Sequence, residues 1–148
     1  MGVSTDAILA FGFDLGADED QPLAARFGEE ESDDGESFDF EDWVARRAGA
    51  VYPEGHSGID SDEYKAYSAK RDAAFAACPV EMVMHCSYDY PMYFLALRGS
   101  KTRAWRGTPS AVNPTPPSDA QVTAMQAFCA EHGIEWQQPG WHIFSMWG

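Results

Sequence analysis

Positive charge is what this chain has least of. Its 148 residues hold ten Lys and Arg against twenty-four Asp and Glu, a formal net charge of −14. Phosphate contacts need clustered Lys and Arg, so direct binding to nucleic acid or to an anionic membrane is disfavoured. Cysteine is also scarce: Cys78, Cys86 and Cys129 are odd in number and widely spaced in apolar contexts. That usage reads as reduced and intracellular, not as a disulfide scaffold. No apolar run approaches the ~20 residues a membrane helix requires. The opening Met1-Gly2-Val3-Ser4-Thr5-Asp6 lacks the basic region and apolar core of a signal peptide. Asp6 stands where a myristoylation motif wants Ser or Thr. Gly12-Phe13-Asp14-Leu15-Gly16 matches neither the dinucleotide fingerprint nor the P-loop, and no other motif implies a cofactor.

What is present is apolar content of 45% and aromatic content of 14%, enough for a core. A chain of this length fits one domain that buries roughly two thirds of its unfolded surface. The charge is unevenly placed. Residues 1–42 hold fourteen acids and one base, Arg26, a net of −13. Residues 43–148 hold ten acids and nine bases and are close to neutral. A field concentrated in this way acts on partners and not on fold.

The pattern along the chain predicts an α+β domain over 1–148 in the order β-α-α-β-β-β-α-β. The sheet is mixed and mainly antiparallel, of four to five strands, with about three helices packed on it. Ala7 to Leu15 alternates as a strand with Leu9, Phe11, Phe13 and Leu15 on one face. Gly12 lies on the other, where a helix or another chain approaches closely. Residues 16–37, with Glu29-Glu30-Glu31-Ser32-Asp33-Asp34-Gly35-Glu36, are too like-charged to fold alone and read as a mobile acidic loop. Asp39 is placed to cap a helix to about Ala48 that buries Phe40, Trp43 and Val44, with Phe38 and Trp43 as its hydrophobic staple. Ser61 opens a second helix to about Ala77, with Tyr64, Tyr67, Arg71, Ala74 and Phe75 at helical spacing and the Arg71 head reaching past the apolar stripe to water. Val80 to Tyr88 and Tyr93 to Arg98 form a hairpin around Asp89-Tyr90-Pro91-Met92, the second strand apolar on both faces and so central. Thr102 to Arg106 continues as a third strand of this group. Ser118 and Gln121 make a capping box for a helix burying Val122, Met125, Phe128 and Cys129 and stopped by Gly133. Trp141 to Trp147 closes the chain as a strand.

Three separated segments share a likeness. They are Ser4-Thr5-Asp6-Ala7-Ile8-Leu9-Ala10-Phe11-Gly12-Phe13-Asp14-Leu15-Gly16, His85-Cys86-Ser87-Tyr88-Asp89-Tyr90-Pro91-Met92-Tyr93, and a C-terminal part. The last comprises Phe128-Cys129-Ala130-Glu131-His132-Gly133-Ile134, Pro139-Gly140-Trp141 and Trp147-Gly148. Together they resemble a family of uncharacterised small proteins of bacteriophages and prophages. The resemblance implies phage origin and a location in the host-cell cytoplasm, and it supplies no catalytic residue.

Candidate sites follow from residue type. Dense carboxylates at Asp18, Glu19, Asp20, Glu29, Glu30, Glu31, Asp33 and Asp34 can occupy a basic nucleic-acid site on another protein, or simply serve as a solvated loop. Tyr90 in its turn and Trp147 near the end are the aromatics most suited to anchor an interface. Cys129 and His132, three apart on a helix, could join Cys86 or His85 at a zinc ion, although strand alternation sends His85 and Cys86 to opposite faces. Cys86 with a His and Asp89 is the minimal thiol set, with no defined base or oxyanion hole. Arg98, Lys101, Arg103 and Arg106 with Trp105 form a basic ribbon that either meets nucleic acid or receives the chain's own acidic loop.

The leading expectation is a non-enzymatic accessory protein that binds and blocks a host protein by imitating nucleic-acid charge. A small Cys/His metal or thiol enzyme is one alternative. A self-associating virion or assembly component is the other.

Overall fold

Apolar alternation carries the first strand further than the sequence suggests, because both of its faces find partners. The computed structural model describes residues 4–17, 40–55 and 58–148. Strand β1 spans Thr5–Ala17, helix α1 Phe40–Arg47 and helix α2 Asp62–Ala77. Strands β2, Val80–Ser87, and β3, Pro91–Leu97, form the expected hairpin, followed by β4, Thr102–Ala104, helix α3, Asp119–Glu131, and β5, Gly140–Trp147. The architecture is α+β, a five-stranded mixed sheet that is mostly antiparallel, in the expected element order. Gly16 and Ala17, expected in the acidic loop, instead belong to β1, while residues 18–37, the Asp39 cap and the Phe38 side of the staple lie outside the described residues.

The sheet runs β3-β2-β5-β1-β4, and β1 pairs with β3 as well. This extra pairing closes β1, β3, β2 and β5 into a ring. β1 makes it possible by changing neighbours along its length. Its first part lies against β5 from Thr5–Trp147 to Gly12–Gly140, and its last part lies against β3 from Gly12–Ala96 to Ala17–Met92. Gly12 sits at the changeover, and a Cβ there would collide with the Leu95 carbonyl. The close approach expected at Gly12 is thus made by a crossing strand. The ring is tight on three sides. On the fourth, β2 and β5 run parallel and pair only at Cys86–Met146 and Ser87–Trp147.

Two cores result. On the outer face Phe13, Val80, Leu95 and Leu97 meet Phe40, Trp43 and Val44 of α1 and Met125, Phe128 and Cys129 of α3. Inside the ring Ile8, Ala10, Val83, Phe94, Ala96 and Met146 form a second cluster. β3 therefore has Phe94, Leu95 and Ala96 almost fully buried, as its unbroken apolar run requires. α3 has the expected capping box: Ser118 Oγ accepts from the Gln121 N–H and the Gln121 side chain reaches back to the Ser118 N–H. α2 is capped by Ser61, whose Oγ accepts from the Tyr64 N–H at 3.1 Å. Its stripe is covered only in part, however: none of the helix residues is fully buried, and Ala74 and Phe75 are half-buried against the outer core. Tyr64 and Tyr67 instead gather with Tyr52, and the Arg71 guanidinium lies over the Tyr67 and Phe75 rings.

Candidate binding surface

The two aromatics singled out from sequence lie at one corner of the ring. β2 ends where Ser87 pairs with Trp147. The chain then turns through Tyr88, Asp89 and Tyr90, and Ser87 Oγ accepts from the Tyr90 N–H at 3.1 Å to hold the turn. Gly148 lies against the Tyr88 ring and exchanges backbone hydrogen bonds of 2.9 and 3.0 Å with Ser4. Tyr88, Tyr90 and Trp147 are 72%, 73% and 53% exposed. Ladder ends and a bonded turn fix their backbones, so these rings reach water from a rigid base and lose little freedom on binding. Tyr88 was not among the expected anchors; its signal is the Ser87-Tyr88-Asp89-Tyr90-Pro91 turn itself. The same corner is where β1 ends, because Ala17 pairs with Met92, two residues from Tyr90. The acidic stretch starts in sequence at the next residue, Asp18.

Behind the aromatics lies a polar pair that sequence spacing did not reveal. His85 Nε2 is 2.9 Å from Asp14 Oδ1. A carboxylate only accepts, so Nε2 carries the proton that it donates. Phe144 lies 5.0 Å from the His85 ring and packs in turn against Phe94. Among the described residues no hydrogen bond joins this pair to Cys86. Cys86 itself has φ of +72°, the one positive value among the described non-glycine residues. That kink ends the alternation of β2.

The chain matches no family model, no curated protein and no solved structure. Function must therefore be argued from the chemistry of the surface.

The remaining candidates separate. Cys129 is buried in the outer core, and that burial pushes its thiol up to about 11, so it stays protonated and is a poor ligand or nucleophile. His132 is wedged between Trp43 and Phe128, at ring distances of 4.9 and 4.5 Å. Burial holds its pKa below the ordinary value; Glu131 opposes the shift and Arg47 adds to it. Cys86 stands at the far corner beside Met146 and Pro91. Among the described residues no three His, Cys, Asp or Glu side chains come together to hold a metal. The residues Asp18, Glu19, Asp20, Glu29, Glu30, Glu31, Asp33 and Asp34 lie outside the described residues.

The ribbon cations Arg98, Lys101 and Arg103 contact the body of the fold. Arg98 donates to the Cys78 and Val80 carbonyls at 2.6 and 2.9 Å. Lys101 lies 3.8 Å from Glu81, and Arg103 lies 3.1 Å from the buried Asp6 with its guanidinium over Trp105. These contacts tie β4 to β1 and β2 and leave little free positive charge for phosphate or for an acidic segment.

Proposed function

We propose that this chain is a non-enzymatic accessory protein of phage type that binds a host protein and blocks its basic, nucleic-acid-binding surface. The observation that carries this reading is the corner of the ring. Tyr88, Tyr90 and Trp147 are exposed there, and the chain leaves the same corner at Ala17 to enter its most acidic stretch. Exposed Tyr and Trp supply short-range anchoring. A dense carboxylate run supplies long-range attraction to a basic partner and speeds encounter. The engagement of Arg98, Lys101 and Arg103 within the fold supports an outward role for the acids.

Capture from host lysate on the immobilised protein tests this. A partner that is retained at low salt and released at high salt is expected, since exposed charge attraction is screened. Tyr90→Ala with Trp147→Ala is expected to abolish capture even at low salt. The combined Glu29→Gln, Glu30→Gln, Glu31→Gln, Asp33→Asn and Asp34→Asn chain is expected to lose the salt-sensitive part. Capture unchanged in both variants would refute the proposal.

A further inference from the structure

The helices cover only part of the outer face of the sheet. Leu9 and Phe11 share that face with Phe13, and so do their ladder partners: Thr102 of β4 beside Leu9, and Trp141 of β5 beside Phe11. Ile143, the other partner of Leu9, is 79% exposed there. The chain returns past this region as a strap, residues 111–117, before Ser118 caps α3. Pro114 and Pro116 hold Asn113 and Thr115 extended, because a residue before proline is kept out of helical geometry. Among the described residues, 109–117 make no backbone–backbone hydrogen bond, so the strap runs beside the sheet without joining it.

Between strap and sheet lies a cleft of about 250 Å³. Leu9, Thr102 and Trp141 line it from the sheet, Asn113 and Thr115 from the strap, and Gln121 from the first turn of α3. Phe11 meets Trp141 at 5.6 Å and 70°, a contact that covers at most one face of the indole. The capping box fixes the Gln121 amide through Oε1, which accepts from the Ser118 N–H and hydroxyl at 2.9 and 3.2 Å. Among the described residues its Nε2, and the side chains of Thr102, Asn113 and Thr115, have no hydrogen-bond partner.

Charge is scarce in this lining. It holds no Asp, Glu or Lys, and its one Arg, Arg98, already donates to the Cys78 and Val80 carbonyls. An anion would have to compete with those carbonyls, and a cation would find no carboxylate, so the ligand that fits is neutral. The volume is below the ~300–1,000 Å³ of sites for drug-sized ligands, so the occupant is a single ring. The free polar groups come from three elements: β4, the strap and α3. That suits hydroxyls radiating from a ring; a nucleobase offers its polar atoms along edges in one plane.

We propose that this cleft binds one ring of a neutral sugar, stacked on Trp141 and held through its hydroxyls by Thr102, Asn113 and Gln121. A pyranose carries C–H groups on its faces, which the negative face of an indole attracts. Its hydroxyls donate and accept, as do Thr and Asn, while Gln121 Nε2 donates. The cleft shares no lining residue with the corner of Tyr88, Tyr90 and Trp147, so this proposal and the docking proposed above fail independently.

Titration of the isotope-labelled chain with glucose, galactose, mannose and N-acetylglucosamine, followed by magnetic resonance, tests it. At least one is expected to bind with a dissociation constant on the order of 1 mM, as a ligand of this size allows. It is expected to shift the indole N–H of Trp141 and the side-chain amides of Asn113 and Gln121, and to leave the indoles of Trp105 and Trp147 unmoved. Trp141→Ala is expected to abolish binding. Asn113→Ala, on the exposed strap, is expected to weaken it about fivefold. Gln121→Glu keeps a capping box, which accepts either residue, and removes the Nε2 donors, with a loss of about fivefold. Should Trp141→Ala fail to fold, these two variants decide alone. Tyr90→Ala with Trp147→Ala is expected to bind sugar as the parent does. No shift at Trp141 with any of the four sugars, a shift with adenosine or uridine but with no sugar, or full affinity in both Asn113→Ala and Gln121→Glu would each overturn the proposal.

Discussion

Strand β3 and helix α2 both repeat apolar residues at the spacing of their element, and they differ in how far those residues are covered. β3 sends Leu95 and Leu97 into the helix-covered core and Phe94 and Ala96 into the ring, and all four are buried. α2 repeats tyrosine, alanine and phenylalanine at helical spacing over sixteen residues and buries none of them fully. Periodicity says which face of an element is apolar; it does not say whether another layer arrives to cover it. β3 is covered twice because the sheet closes on itself. α2 lies outside that closure and is held by its cap, its aromatic contacts with Tyr52, α1, and the edge of the outer core at Ala74 and Phe75.

Substitutions can break this contrast. Phe94→Ala removes a ring packed against Phe144 and His142 inside the closed sheet, and is expected to cost about 3–5 kcal/mol in chemical denaturation. Gly12→Ala drives a methyl into the Leu95 backbone where β1 changes neighbours; it is expected to cost about 3 kcal/mol and to loosen the β1–β3 pairing. Ser61→Ala removes the α2 cap and is expected to cost about 1 kcal/mol. Its effect is expected mainly as faster amide exchange in α2, with β3 still protected. Equal loss of protection in both elements would show that α2 is part of the same cooperative unit.

The smallest effect concerns pH. Burial holds the His132 imidazole below its ordinary 6.5, so the fold prefers the neutral ring. As pH falls through 6.5 the unfolded chain takes up this proton first, and the contribution is lost progressively toward the lower folded value. Thermal midpoints between pH 7.5 and 5 are expected to fall more steeply in the parent than in His132→Phe.

Much of the fold was legible because it is written in local patterns. The capping box of Ser118 and Gln121, the apolar run at Tyr93 to Leu97, the burial of Phe40, Trp43 and Val44, and the special face of Gly12 all depend on near neighbours in sequence. The ring was not legible. It requires Gly12 to meet Ala96 across more than eighty residues, and alternation alone does not report which strands become neighbours. The surface was half legible for the same reason. Tyr90 and Trp147 stand out by type and position, but their sharing a corner depends on the parallel pair at Ser87 and Trp147. The Asp14–His85 pair depends on strands brought together by the closure. Cys129 in α3 and His132 just after it have the spacing of one helix face, and that face packs into the outer core, with His132 against Trp43.

The central place of β1 also sets an order of events during synthesis. This strand is made first, yet its partners begin at residues 91, 102 and 140. While the chain is being translated, its alternating Ile8, Phe11 and Phe13 have nothing to pair with until more than half of the polypeptide has emerged. Contacts of such long sequence separation slow folding and leave apolar segments exposed meanwhile. The ribosome-bound chain is therefore expected to depend on holding factors in the interval between completion of β1 and arrival of β5.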